Sequence, residues 1–231
     1  MQPKTALERR NGHASPVVVR SPRSAAAEAY RALRTNLQFS SLDRELKTIL
    51  VTSAGDGDGK TTVAANLGVA MAESGKRVLL VDCDLRRPGL HEVFGLPVVP
   101  GLSNALLGES GELPVSTTTV AGLSVLTAGD RPPNPAELVA SARLTRLLAR
   151  VREEYDYVII DSPPAGLVAD AAVLASAADG VIMVVSAGRT KRDAARRAKE
   201  QLERVGARLL GVVLNNAKLD RKLREYHSLA T

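Results

Sequence analysis

Eight residues, Ala54-Gly55-Asp56-Gly57-Asp58-Gly59-Lys60-Thr61, join an apolar run at 48–52 to a helix-forming stretch at 61–73. A strand that passes through a glycine-rich turn straight into a helix belongs to a β-α layer, and Gly-Lys-Thr at its end is the pattern of a phosphate-binding loop. The glycines let backbone N–H groups turn inward around an anion without side chains in the way, and the helix N-terminus adds partial positive charge. Lys60 is then expected to reach β- and γ-phosphate oxygens, Thr61 to offer its hydroxyl to Mg2+, and Thr62 to follow at the helix start. Ala54 stands where the strict pattern has glycine. Asp56 and Asp58 are poor neighbours for an anion, so both side chains are expected to point outward, leaving contact to the backbone of Gly55, Asp56, Gly57, Asp58 and Gly59.

Two more apolar runs end in acid: 78–81 runs into Asp82-Cys83-Asp84, and 157–160 into Asp161-Ser162-Pro163-Pro164. In open α/β sheets ligands bind at the carboxyl ends of strands, so these carboxylates are expected on one rim with the loop. Asp161 is read as a holder of Mg2+. Asp82 and Asp84 exceed what nucleotide binding needs, and either can take a proton from an acceptor hydroxyl or water. Spacing does not choose between them, since two carboxylates in one site share protons and metal. Asp84 has the alternative role of capping a helix at 85–88.

Short apolar runs at 48–52, 78–81, 123–126, 157–160, 181–185 and 209–214 alternate with helical patterns at 61–73, 135–151, 169–175 and 192–205. That alternation predicts an α/β fold, a mostly parallel central sheet with helices on both faces. Hydrophobic residues make up 45% of the chain but aromatics only 3%, with no Trp, so Ala, Val and Leu must fill the core. Residues 1–24, with Pro3, Pro16 and Pro22, read as a flexible basic arm with an extended piece at 17–19. A helix is expected at 25–41, the folded domain over 25–216, and a polar tail over 217–231.

One cysteine, Cys83, excludes an internal disulfide and a structural zinc site on ligand count. No run approaches the roughly 20 apolar residues of a membrane span, and no apolar core of a signal peptide is present, so a cytoplasmic location is expected. The net charge is +6. Residues 189–208 hold eight Lys/Arg against Asp193, Glu200 and Glu203. The plain reading is a solvated amphipathic helix; an anionic membrane surface or nucleic acid are the ligands such a face would otherwise suit.

These elements together resemble the deviant P-loop ATPases, a group that includes chromosome-partitioning and septum-placement ATPases and the bacterial tyrosine kinases. Partitioning-type members carry a signature lysine where this chain has Gly55. The resemblance is closest to the bacterial tyrosine kinases that partner a polysaccharide co-polymerase, over roughly 25–216. It rests on Glu28-Ala-Tyr-Arg31-Ala-Leu-Arg34, the loop, Asp82-Cys-Asp84-Leu-Arg86-Arg87-Pro88, Pro133-Asn-Pro-Ala-Glu137-Leu, Asp161-Ser-Pro-Pro164, Ala169-Asp170-Ala171 and Gly211-Val-Val-Leu-Asn215.

The resemblance implies ATP and Mg2+ as ligands, with phosphate on Lys60 and Thr61, metal assisted by Thr61, Asp82 and Asp161, catalysis by Lys60, Asp82 and Asp84, and adenine near Asn215. It implies that Glu28, Arg31 and Arg34 pack copies into a ring, whereas their spacing alone also allows internal pairing. It further implies peripheral attachment at the inner membrane face through a separate membrane co-polymerase that activates the chain, and no nucleic-acid partner. Such kinases end in a tyrosine cluster, but this tail has one, Tyr226, so either Tyr226 alone is the acceptor, the acceptor is another protein, or the chain is an ATPase of this shape without kinase function. Tyr30 lies on the first helix, and Tyr155 and Tyr157 flank a buried strand.

Overall fold

A computed structural model describes residues 15–40, 45–108 and 112–218. The chain runs through α1 (Val17–Arg20), α2 (Ala25–Phe39), β1 (Thr48–Ser53), α3 (Lys60–Ala72), β2 (Val78–Asp82), α4 (Leu90–Phe94) and α5 (Leu102–Leu107). It continues through β3 (Ser116–Thr117), β4 (Leu123–Leu126), α6 (Pro135–Val139), α7 (Ala142–Glu154), β5 (Tyr157–Asp161), α8 (Asp170–Ala177), β6 (Gly180–Ser186), α9 (Arg192–Arg204) and β7 (Leu209–Asn215).

The seven strands form one sheet in the order β3-β4-β2-β5-β1-β6-β7. All pairings are parallel except that of the two-residue β3 with β4. β1 lies at the heart of the sheet and is buried at all six positions, its apolar centre Ile49-Leu50-Val51 flanked by buried Thr48, Thr52 and Ser53. Successive residues face opposite layers. Leu50, Leu79, Val158, Ile160 and Val181 pack in one core with α5 to α9; Ile49, Val51, Leu80, Ile159 and Ile182 pack in the other with α1 to α4. Close packing replaces aromatic bulk: ten residues of α3 are buried, and a Cβ on Gly68 would meet Leu80 at 3.0 Å.

The six expected strands and the α/β class are present. Three expectations are corrected. Residues 17–19 form a helix rather than an extended piece, and the fold begins before residue 24: Val18 is fully buried, and its N–H donates to Asn66 Oδ1 of α3 at 3.1 Å. Burial against α3 overrides the local β preference of three valines. The helix expected at 135–151 is two, because Ser141 caps a second start by accepting from the Leu144 N–H at 3.3 Å. No helix forms at 85–88, where Asp84 instead closes a turn by accepting from the Arg87 N–H at 3.0 Å. No helix among the described residues is long and apolar enough to cross a membrane.

Candidate active site

The loop between β1 and α3 holds Gly57 at φ +73° and Gly59 at φ +96°, the left-handed conformations that glycine alone adopts without strain. Its outer side is fastened from the far edge of the sheet. Arg189 donates to the carbonyls of Asp56 and Gly57, both at 3.3 Å, and Asn215 Nδ2 donates to the Asp58 carbonyl at 3.0 Å. Three successive carbonyls are thereby turned away from the loop's concave side, which leaves the N–H groups of the same peptides for an anion. Asn215 thus acts first on the loop.

Asp56 points outward as expected, half exposed and ion-paired with Arg87. Asp58 does not. It is 2% exposed, accepting from the Gly55 N–H at 2.8 Å and the Thr190 hydroxyl at 2.7 Å. Two donors inside the fold satisfy its carboxylate, so it braces the loop instead of facing solvent.

Lys60 opens α3 and its ammonium lies 2.9 Å from Asp84 Oδ2, both side chains largely buried. Burial alone would depress the lysine, but the charges of Asp161, Asp84 and Asp82 outweigh it and leave the pKa above its ordinary value. Asp82 and Asp161 stand side by side at the ends of β2 and β5, whose register pairs them directly. Burial, then the mutual charge, pushes Asp82 well above the carboxylate range. Burial also raises Asp161, against the pull of the Lys60 charge and the Thr61 hydroxyl.

The three aspartates differ in what they have left to give. Asp82 accepts from the N–H groups of Gly89 and Leu90, both at 3.0 Å, and of Asp84 at 3.2 Å, so it fastens the start of α4. Asp84 faces Lys60. Both oxygens of Asp161 are buried with no hydrogen-bond partner among the described residues. An orphaned buried carboxylate beside the Thr61 hydroxyl fits a hydrated divalent cation. No group of three or more acidic, histidine or cysteine side chains among the described residues is spaced to hold a metal unaided. Mg2+ characteristically takes one or two carboxylates and completes its shell with water and phosphate oxygens.

Several contributors escaped the sequence reading. Arg189 and Thr190 looked like the start of a charge run, yet they reach across to the phosphate loop. Arg86 pairs with the buried Asp170 at 3.0 Å, across 84 positions of sequence. Within α9, Arg196 pairs with Glu200 and Lys199 with Glu203, and Ala198 and Leu202 face the core; beyond it, Arg208 donates to the Ser40 carbonyl. Among the described residues, Lys191, Arg192, Arg197 and Arg204 have no acidic partner, and they are spread around the helix rather than gathered on one face.

The helix α2 also pairs within the chain. Arg31 contacts Glu28 at 2.5 Å and Glu73 at 3.1 Å, and Arg34 donates to the Ala70 carbonyl at 2.9 Å, both fastening α2 to α3. Tyr226 lies outside the described residues. Tyr155 and Tyr157 sit at the amino end of β5, opposite the site.

Residues 45–224 match the ParA family, described as NUBPL iron-transfer P-loop NTPase. The chain is 44% identical over 206 residues to the tyrosine-protein kinase YwqD of Bacillus subtilis, covering 89% of this chain and 87% of that one. It is 35% identical to the tyrosine-protein kinase wzc of Salmonella typhimurium, where the match covers 87% of this chain and 28% of the much longer relative. The crystal structure of the chimerical protein CapA2B2 superposes with a TM-score of 0.84 at 36% identity, covering 90% of this chain and 95% of that one. These likenesses in sequence and fold place the chain in the bacterial tyrosine-kinase family of ParA-like P-loop NTPases.

Proposed function

We propose that this chain transfers the γ-phosphate of ATP to the hydroxyl of a protein tyrosine, in the control of surface-polysaccharide assembly or export. The observation that carries the reading is the rim of carboxylates around Lys60. Asp161 is free to serve a cation, and Asp84 is an additional acid aimed at the lysine that would hold the transferring phosphate. In this reading the loop N–H groups and Lys60 hold the phosphates, Thr61 and Asp161 hold Mg2+, and Asp82 positions Asp84 through its N–H. Bound there, the metal would neutralise charge on the β- and γ-phosphate oxygens. The phenol oxygen forms a bond to the γ-phosphorus as the bond to the β–γ bridging oxygen breaks. The phenol proton passes to Asp84, and ADP leaves. Asn215, with its Nδ2 on the loop, keeps an amide oxygen for the adenine.

Activation by a separate membrane co-polymerase, cytoplasmic placement at the inner membrane face and ring assembly through α2 belong to the same proposal. The wzc match supports the first, because there the matching region is a minor part of a long chain. Ring assembly would require Glu28, the most exposed of the three charges, or new partners for Arg31 and Arg34. The acceptor is a partner protein or Tyr226 of a neighbouring copy.

Incubation with γ-labelled ATP and Mg2+, with and without the cytoplasmic segment of the membrane partner, tests the activity. Phosphotyrosine that disappears in Lys60→Met is the expected result. Free phosphate with no labelled protein would instead identify an ATP-hydrolysing switch.

A further inference from the structure

At the amino end of the sheet, opposite the phosphate loop, lies a groove of about 640 Å3, lined in part by Arg77, Thr117, Ser124, Glu154 and Tyr155. Its volume falls within the roughly 300–1,000 Å3 of sites that take a small molecule. The groove exists because α7 packs on β5 and stops at Glu154, leaving Thr117 of β3 exposed and Ser124 of β4 half-buried. Strand alternation puts Arg77, two residues before Leu79, and Ser124, two before Leu126, on the face that those leucines bury. Thr117 stands directly across from Ser124 in the β3–β4 register, and Tyr155 packs against the same core.

The walls are preformed. The Thr118 hydroxyl donates to the Leu123 carbonyl at 3.0 Å and accepts from the Val120 N–H at 3.1 Å, which fixes the turn between β3 and β4. Gly122, at φ +80°, passes so close to the residues before β2 that a Cβ would meet the Lys76 carbonyl oxygen at 2.9 Å. Its own carbonyl accepts from the Val78 N–H at 2.8 Å. Arg77 is held through its backbone: its N–H donates to Asp156 Oδ2 at 2.8 Å, and its carbonyl accepts from the N–H groups of Asp156 and Tyr157 at 2.9 and 3.2 Å. Its guanidinium is 66% exposed and sits 3.9 Å from Asp156, too far for a hydrogen bond.

The groups left over define a ligand. Among the described residues, the hydroxyls of Thr117, Ser124 and Tyr155 have no hydrogen-bond partner. Each can donate and accept, Arg77 adds donors, and Glu154 adds acceptors. One cation and one anion leave the rim near neutral, which does not suit a phosphate. We propose that this groove binds a short neutral saccharide, with a sugar ring against Tyr155 and its hydroxyls shared among Ser124, Thr117 and Arg77. A pyranose has the matching character, alternating donors and acceptors around its edge and an apolar C–H face for an aromatic ring. The site is separate from phosphotransfer, since β2 and β5 run from the groove to Asp82 and Asp161 at their far ends, about 16 Å for five residues of strand. An anion is the competing occupant, and the test separates the two.

The 15N-labelled full chain is titrated with cellobiose, lactose and N,N′-diacetylchitobiose, and separately with inorganic phosphate, while amide signals are followed by NMR. At least one disaccharide is expected to shift the signals of Gly122, Ser124 and Tyr155 saturably, with a Kd on the order of 1 mM. Ser124→Ala and Arg77→Ala, both changes at the surface of the groove, are each expected to weaken that binding about three- to tenfold. Lys60→Met, altered at the opposite end of the sheet, should bind the sugar as the parent does. No saturable shift with any of the disaccharides overturns the proposal, as does binding that both groove variants leave unchanged. Shifts at Gly122 and Ser124 with phosphate but not with sugar would make the groove an anion site and overturn it too.

Discussion

Asp56 and Asp58 are two residues apart in the same loop, yet one faces solvent and the other is sealed inside. The difference comes from Thr190, 132 positions away, whose hydroxyl reaches Asp58 but not Asp56. Arg189 is the neighbouring case. Its guanidinium sits directly over Gly57, where an added Cβ would meet it at 2.7 Å, so glycine at 57 and arginine at 189 are matched by space as well as by hydrogen bonds. Because the bonds are long and the arginine exposed, the clamp is worth a modest pre-organisation of the loop. Arg189→Ala is expected to weaken ADP binding about three- to tenfold in a fluorescence titration. Unchanged affinity would show that the loop holds its shape alone. Sequence exposed the loop residues because their order is contiguous, and concealed their braces because no local pattern announces a contact over such separations.

Among elements, strands were the most legible, for a physical reason. A strand inside a parallel sheet carries a continuous apolar run that stands out in sequence, and each expected strand agrees with the sheet to within a residue or so. α4, α5 and β3 are too short to display a period, and the apolar run 17–19 took its conformation from packing on α3. At the amino end of β1, Asp179 joins two elements. It accepts from the N–H groups of Lys47 and Thr48 at 2.9 and 2.8 Å and pairs with Arg152 of α7 at 2.6 Å. Burial opposes ionisation of Asp179, but the Arg152 pair and the two N–H groups outweigh it and hold the carboxyl below its ordinary value of 3.8. A depressed folded-state pKa stabilises the protein above the unfolded value and loses that contribution as pH falls through the folded one. Asp179→Asn should therefore cost about 1–2 kcal/mol in urea unfolding at pH 7. The gap to the parent should narrow below pH 3.8. A gap that stays constant with pH would contradict the ion-pair account.

At the scale of the whole molecule, the sheet gathers at one rim what the sequence scatters over 160 positions: the loop after β1, the carboxylates ending β2 and β5, Arg189 after β6 and Asn215 ending β7. The acid-ended strands revealed most of that rim in advance. The division of labour among Asp82, Asp84 and Asp161 was not visible, because it depends on which oxygens the backbone already occupies. That division is the central claim, and Asp84→Asn tests it most directly. Asparagine can still accept from the Arg87 N–H, so the turn is kept while the proposed proton acceptor is removed. Tyrosine phosphorylation by this variant is predicted to fall by about 10²- to 10⁴-fold with ADP affinity within about threefold of the parent. Phosphotyrosine formed at the parent's rate would contradict the assignment of Asp84 as the base.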